Sequence, residues 1–147
     1  APDGNGHLYA SSRGNYKDVD PKLFVVDLQA RHVVDSFDIP VSKFVIAGER
    51  AYILGERYFA ETKSTTYSYH LIDTRTRELL DGSFIRKVHE REIAVPYGIA
   101  VHPVTGNIYV TDAKTFDIAG KILCFSPTGE KLAERATGVI PAHIAFR

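Results

Sequence analysis

Short apolar runs rich in Val, Ile, Tyr and Phe alternate along the chain with polar segments marked by Gly, Pro and Asp. This is the pattern of strands and turns. β-Branched and aromatic side chains suit a pleated surface, and the turn residues interrupt it. A helical apolar period is missing throughout. The most helix-tolerant stretch, IRKVHEREI at 85–93, is charged and reads as a long loop with at most one helical turn.

The pattern repeats. GHLYAS (6–11), RAYILG (50–55) and NIYVTD (107–112) each set a tyrosine, Tyr9, Tyr52 or Tyr109, inside an apolar run. A polar segment and a second run follow each: KLFVVD (22–27), YHLID (69–73) and KILCFS (121–126). Then DLQARHVV (27–34), DTRTRELL (73–80) and SPTGEKLA (126–133) align without a gap, each a polar turn leading into an apolar pair. Upstream, Pro40 lies 12 residues before Tyr52 and Pro96 lies 13 before Tyr109, with KFVIAG and YGIAVH between them. Pro141 opens the same element with HIAF. The unit is four strands, a to d, recurring every 43–57 residues from Tyr to Tyr. A four-stranded unit of this period predicts the antiparallel blade of a β-propeller.

In order, the chain reads b-c-d, a-b-c-d, a-b-c-d, a. The expectation is an all-β chain with one partial propeller domain over 1–147. Its three blades take strands from 6–39, 43–85 and 97–137, and a terminal strand covers 143–147. HIAF is expected to supply strand a of the blade that begins at Gly6, because this removes exposed sheet edges. Three blades fall short of the four to eight of a closed ring. Missing blades or a second copy of the chain are therefore expected to cover the open flanks. The recurring tyrosines predict packing between blades, with each hydroxyl satisfied near a surface.

Composition narrows the function. The 147 residues suffice for one domain with a sizeable core. Formal net charge is zero and Lys and Arg form no stripe, which argues against nucleic acid as a partner. No apolar run reaches the roughly 18 residues of a membrane-spanning helix. The single cysteine, Cys124, allows no internal disulfide. Between Leu123 and Phe125 it reads as a buried, apolar-like thiol, not a nucleophile. The sequence contains no Met, and APDGNG reads as a loop cut open, so an N-terminus made by processing or truncation, or by removal of the initiator, is expected. No signal peptide is visible.

PYGIAVHPVTGNIYVTDAK (96–114), followed by GKILCFSPTGEKL (120–132) and IPAHIAF (140–146), resembles the YncE-like, YVTN-type bacterial β-propellers. NIYVTDAK stands where the family has its YVTN signature, with Asp112 in place of the signature Asn. The resemblance covers nearly the whole chain and is strongest over 94–147. It implies that the chain is the C-terminal part of a seven-bladed ring about twice this length. It also implies export to the periplasm or cell surface, and no established enzymatic activity.

Three b–c connections, at 11–21, 55–65 and 111–120, each carry an aromatic among charges: Tyr16, Tyr58 or Phe59, and Phe116. Loop aromatics and arginines often anchor partners. Arg13, Asn15, Tyr16, Arg57, Tyr58, Asp112, Lys114 and Phe116 are therefore the expected recognition surface. The competing reading has these aromatics packing on neighbouring loops. His143 joins the candidates as the polar residue that opens a channel-facing strand, where a hydrogen-bonded role in a wet channel competes. Asn15, Asp18 and Asp20 offer oxygens to Ca²⁺ but lack the bidentate acid of a dedicated loop. HEREI at 89–93 fails as a zinc motif, since Ile93 stands where the second His belongs. The remaining histidines have no ligand spacing, and GNG at 4–6 is no phosphate loop. No metal and no cofactor are expected.

Two function classes follow. One is a non-catalytic binding or scaffolding propeller of the cell envelope, taking a protein, small-molecule or glycan ligand. The other is a lactonase- or lyase-like enzyme completed by blades this chain lacks. The openings of strands a offer Ser42, Tyr97 and His143 but no carboxylate, which disfavours the enzyme.

Overall fold

A computed structural model describes residues 1–15 and 17–147; Tyr16 lies outside the described residues. The chain is all-β, with one helical turn, and it divides into two compact units, Ala1–Asp81 and Gly82–Arg147.

The first unit holds two antiparallel meanders. One is β1 (His7–Ser12), β2 (Lys22–Asp27) and β3 (His32–Phe37). The other is β4 (Lys43–Ala47), β5 (Arg50–Phe59), β6 (Ser64–Asp73) and β7 (Glu78–Leu80). Alternation places Leu23 and Val25 on one face of β2, and Ala51 and Ile53 on one face of β5. These residues, with Tyr9, Ile39, Val41 and Ile72, form one buried cluster that joins the two sheets. Burying each large aliphatic side chain stabilises by about 1.5–3 kcal/mol.

The repeated turns have a common physical cause. Asp27 Oδ1 accepts the Gln29 and Ala30 N–H groups at 2.8 and 2.7 Å, and the left-handed Arg31 (φ 57°) feeds β3. Asp73 Oδ1 accepts the Arg75 and Thr76 N–H groups, both at 3.0 Å, and the left-handed Arg77 (φ 59°) feeds β7. Each carboxyl is held below its ordinary range, the Ala30 N–H weighing most at Asp27 and the Thr76 N–H at Asp73. A short side chain that mimics a backbone turn thus reverses the chain at matching places.

The second unit is a four-stranded meander: β8 (Pro96–Val101), β9 (Ile108–Asp112), β10 (Ala119–Phe125) and β11 (Lys131–Val139). The turn before β11 uses Ser126, whose Oγ accepts the Glu130 N–H at 3.1 Å, with Gly129 at φ 83°. The 85–93 stretch contains α1 (Lys87–Glu90). Its segment crosses the β10–β11 turn, where a Cβ on Gly129 would meet the Phe84 carbonyl oxygen at 2.8 Å. Around it, Arg86 pairs with Glu130 at 2.5 Å, His89 with Glu92 at 2.7 Å, and Lys131 with Glu92.

Three expectations are corrected. The segment 143–147 is not a strand and lies on its own sheet. Ile140, at φ 54°, turns the chain back after β11. The Thr111 hydroxyl then donates to the Pro141 carbonyl at 2.5 Å, and the Phe146 ring sits 5.3 Å from Tyr109 and 4.9 Å from the His102 ring. Gly98 leaves room for this return, since a Cβ there would meet the Ala142 oxygen at 2.7 Å.

The edge of β1 is bordered by the chain's own first residues. Pro2 pairs with Leu8, and Ala1 O accepts the Tyr9 N–H at 2.8 Å. Residues 1–9 therefore form a hydrogen-bonded turn against the start of β1. Asp3 is buried and accepts the Asn5 and His7 N–H groups. Burial pushes its carboxyl up, but these bonds and the His7 ring outweigh it and leave the carboxyl lowered.

The Tyr9 hydroxyl is not satisfied near a surface. It is buried without a hydrogen-bond partner among the described residues, and burial, with the Asp3 charge second, pushes it up to about 12. At Tyr109 a hydrogen bond with the half-buried Cys124 thiol raises the phenol.

Candidate binding groove

The first two connections expected to carry recognition come together in the first unit. In the β1–β2 connection, Asn15 organises the backbone. Its Oδ1 accepts the Lys17, Asp18 and Val19 N–H groups at 3.0, 3.1 and 2.9 Å, and its Nδ2 donates to Asp18 at 2.6 Å. Gly14, at φ 68°, is required here, because a Cβ would fall 1.9 Å from the Val19 oxygen. Asn15 is thus a positioning residue. Its oxygen is occupied by backbone, which removes it from the Ca²⁺ ligand set weighed above.

The 55–65 segment is not a loop. β5 and β6 stay paired from Arg50↔Asp73 to Phe59↔Ser64, and only 60–63 turn, with Lys63 at φ 50°. Thr65, Thr66 and the aromatics are strong strand formers, and they outweigh the charges that suggested a loop. Tyr58 and Phe59 remain 49% and 40% exposed on this ribbon.

Between the β1–β2 connection and the ribbon lies a groove of about 310 Å³. Arg13, Lys17, Val19 and Pro21 form one wall, and Glu56 to Glu61 form the other. Arg57 donates to Asp20 across it at 2.7 Å, and its guanidinium lies 5.5 Å from the centre of the Phe59 ring. Arg13 has no ion pair among the described residues. The groove therefore combines cations, acids and two exposed aromatics, a mixture suited to an amphipathic ligand. Of the expected residues it unites Arg13, Arg57 and Tyr58. Tyr16, on the same connection, falls outside the described residues. Phe59, the alternative aromatic of the 55–65 connection, joins Tyr58 there; Glu56 and Val19 were missed, although the alternation of Glu56 and Tyr58 on one face was present in the sequence.

The other candidates lie in the second unit and divide differently. Asp112 is only 1% exposed and faces inward, which corrects its place on a recognition surface. Its carboxylate accepts the Ala94, Val95 and Lys114 N–H groups at 3.1, 2.9 and 2.9 Å. The third of these bonds fixes the turn in which Lys114 and Phe116 adopt φ 50° and 67°. Phe116 stands edge-on to Tyr97 at 5.5 Å and 83°, the local packing that competed with recognition. His143 is exposed on the irregular terminal segment, not at the head of a strand. No group of three or more His, Cys, Asp or Glu able to hold a metal occurs among the described residues.

No protein-family model matches this chain, and no curated protein matches it significantly.

Proposed function

We propose that this chain is a non-catalytic binding module and part of a β-propeller of the YncE-like kind, working in the bacterial envelope. The groove between the β1–β2 connection and the β5–β6 ribbon carries the binding reading. It sets the exposed aromatics Tyr58 and Phe59 beside Arg13, a cation with no ion pair among the described residues, and these are the residue types that anchor partners. The propeller reading is supported by three meanders whose strands neighbour one another in chain order, and by the shared core of the first two. The envelope location rests on the resemblance of 96–146 alone.

Arrays of immobilised peptides and glycans probed with the purified chain test the binding reading. Hits are expected that weaken at least tenfold in Tyr58→Ala and in Arg57→Ala while the fold is retained. Hits indifferent to both substitutions, or no hits, overturn it.

A further inference from the structure

β5 outruns its neighbour. β4 accompanies it only from Arg50 to Leu54, whereas β6 stays with it to Phe59. Successive residues of an antiparallel strand turn their N–H and C=O to opposite sides. Leu54 directs its carbonyl toward the β4 side, where Ser42 N–H donates to it at 2.8 Å. Glu56 and Tyr58 therefore aim their backbone groups to that same side, beyond the point where β4 has ended. Among the described residues, no backbone hydrogen bond outside the ladder reaches either.

Cavities flank this open edge on both faces of the ribbon. One of about 50 Å³ lies against Glu56, Tyr58, Arg13 and Val41. Another of about 140 Å³ lies against Arg57, Asp20, Lys22 and Asp38. Side chains alternate along a strand, so the first borders the Glu56–Tyr58 face and the second the Arg57 face. The larger groove borders both. A compact ligand needs one concavity. An added strand needs an edge with space alternately above and below it.

We propose that the free edge of β5 at Glu56–Phe59 accepts an extended segment of a partner protein as an added β-strand. The inference rests on the binding reading above and names its mode. The edge spans about 13 Å at the usual rise of a strand, so it holds a segment of four or five residues. Charge selects the sequence. On the Arg57 face, Arg57 is tied to Asp20 and Lys22 to Asp38, the latter at 2.8 Å. On the other face Arg13 has no such partner among the described residues. The fitting segment carries an acidic side chain opposite Arg13 and none opposite Glu56, where like charges across a pair repel. Tyr58 and Phe59, one on each face, cover its apolar side chains.

The probe is a set of acetylated, amidated hexapeptides of alternating Val and Thr, with Glu placed at each position in turn. Binding to the full chain is read by fluorescence anisotropy and by amide hydrogen exchange. At least one peptide is expected to bind and to protect the Glu56 and Tyr58 amides, leaving the Arg57 and Phe59 amides as they were. Methylating alternate peptide nitrogens is expected to weaken it more than tenfold. Replacing its Glu by Gln is expected to weaken it severalfold, and that loss is expected to vanish in Arg13→Gln. Three outcomes overturn strand addition. In one, no peptide binds below about 1 mM. In another, binding is unchanged by methylation, or no amide is protected. In the third, Glu56 and Tyr58 become protected with rising protein concentration alone, which assigns the edge to a second copy. If the array hits still depend on Tyr58 in any of these cases, the binding reading survives and only its mode fails.

Discussion

The β5–β6 and β9–β10 connections both join the second and third strands of a four-stranded meander, yet they are built oppositely. The first extends as a bare ribbon whose tip leaves Tyr58 and Phe59 in water. The second is anchored at its base by a buried carboxylate that holds three backbone N–H groups, and its aromatic, Phe116, though 44% exposed, rests edge-on against Tyr97. Sequence presents the two as alike, an aromatic among charges. What separates them is an acid at the strand end that finds backbone donors: β9 ends on Asp112, whereas β5 ends on Phe59. Where that acid is present, the connection serves the fold. Where it is absent, the connection runs on as paired strand, which on the proposed binding reading meets a partner.

Breaking the buried anchor should cost most. Asp112→Ala leaves three N–H groups without their acceptor. It is expected to lower stability by about 2–4 kcal/mol: hydrogen bonds to a charged group contribute about 1.5–3 kcal/mol each, and water reaches part of these partly buried donors once the carboxylate is gone. The denaturant midpoint of the full chain reads this, and a shift too small to detect would put the β9–β10 connection in the same class as the ribbon.

Gly98→Ala comes next. The added methyl meets the Ala142 oxygen and the Thr111 hydroxyl, so the terminal segment must lift. The expected loss is about 1–3 kcal/mol, the usual cost of overpacking. Faster amide exchange over 142–146, with the β1–β3 amides unchanged, is the accompanying signature.

The charged segment over the β10–β11 turn gives a smaller, pH-dependent effect. Lys131, and after it His89, hold the Glu92 carboxyl below its ordinary value of 4.5. In return Glu92 raises Lys131 above its ordinary 10.5. A lowered carboxyl stabilises fully above its ordinary value and loses that contribution as pH falls through the lowered one. A raised ammonium does the reverse at the alkaline end. Amide protection over 86–93 should therefore be flat between about pH 4.5 and 10.5 and decline outside that window. Decline near neutrality would remove the Lys131–Glu92 pair as its cause.

Least of all should change on the ribbon. Tyr58→Ala is expected to shift stability by no more than about 0.5 kcal/mol, the range for surface positions away from packing. The exposed Arg57–Asp20 pair is worth about 0–1 kcal/mol. Thermal melting of Tyr58→Ala and Arg57→Ala checks this. A large loss at Tyr58 would make the ribbon a structural element and erase the contrast.

Much of the framework was legible because it rests on local rules. KLFVVD coincides with β2, the tyrosine-bearing runs fall on β1, β5 and β9, and the Asp27 and Asp73 turns sit where the alignment put them. Alternation and turn chemistry act within a few residues, so sequence exposes them. The misses involve contacts over distance. Nothing near PAHIAF announces that Gly98 and Thr111 will receive it. Nothing near Asp112 announces Ala94 and Val95. The groove was half legible. Arg13, Arg57 and Tyr58 were marked by residue type, but the pairing that carries Glu56 to Phe59 beyond β4 is a property of register, which charge obscured.

An open strand edge is also a hazard in a crowded solution, because identical edges can zip together without limit. This ribbon carries Glu56, Arg57, Glu61 and Lys63 within eight residues of chain, all exposed. Those charges act as gatekeepers: each copy that approaches must bring matching charges into register before its backbone can bond. Neutralising Glu56 and Glu61 to Gln should therefore show itself first as turbidity on concentration, long before any change in melting temperature.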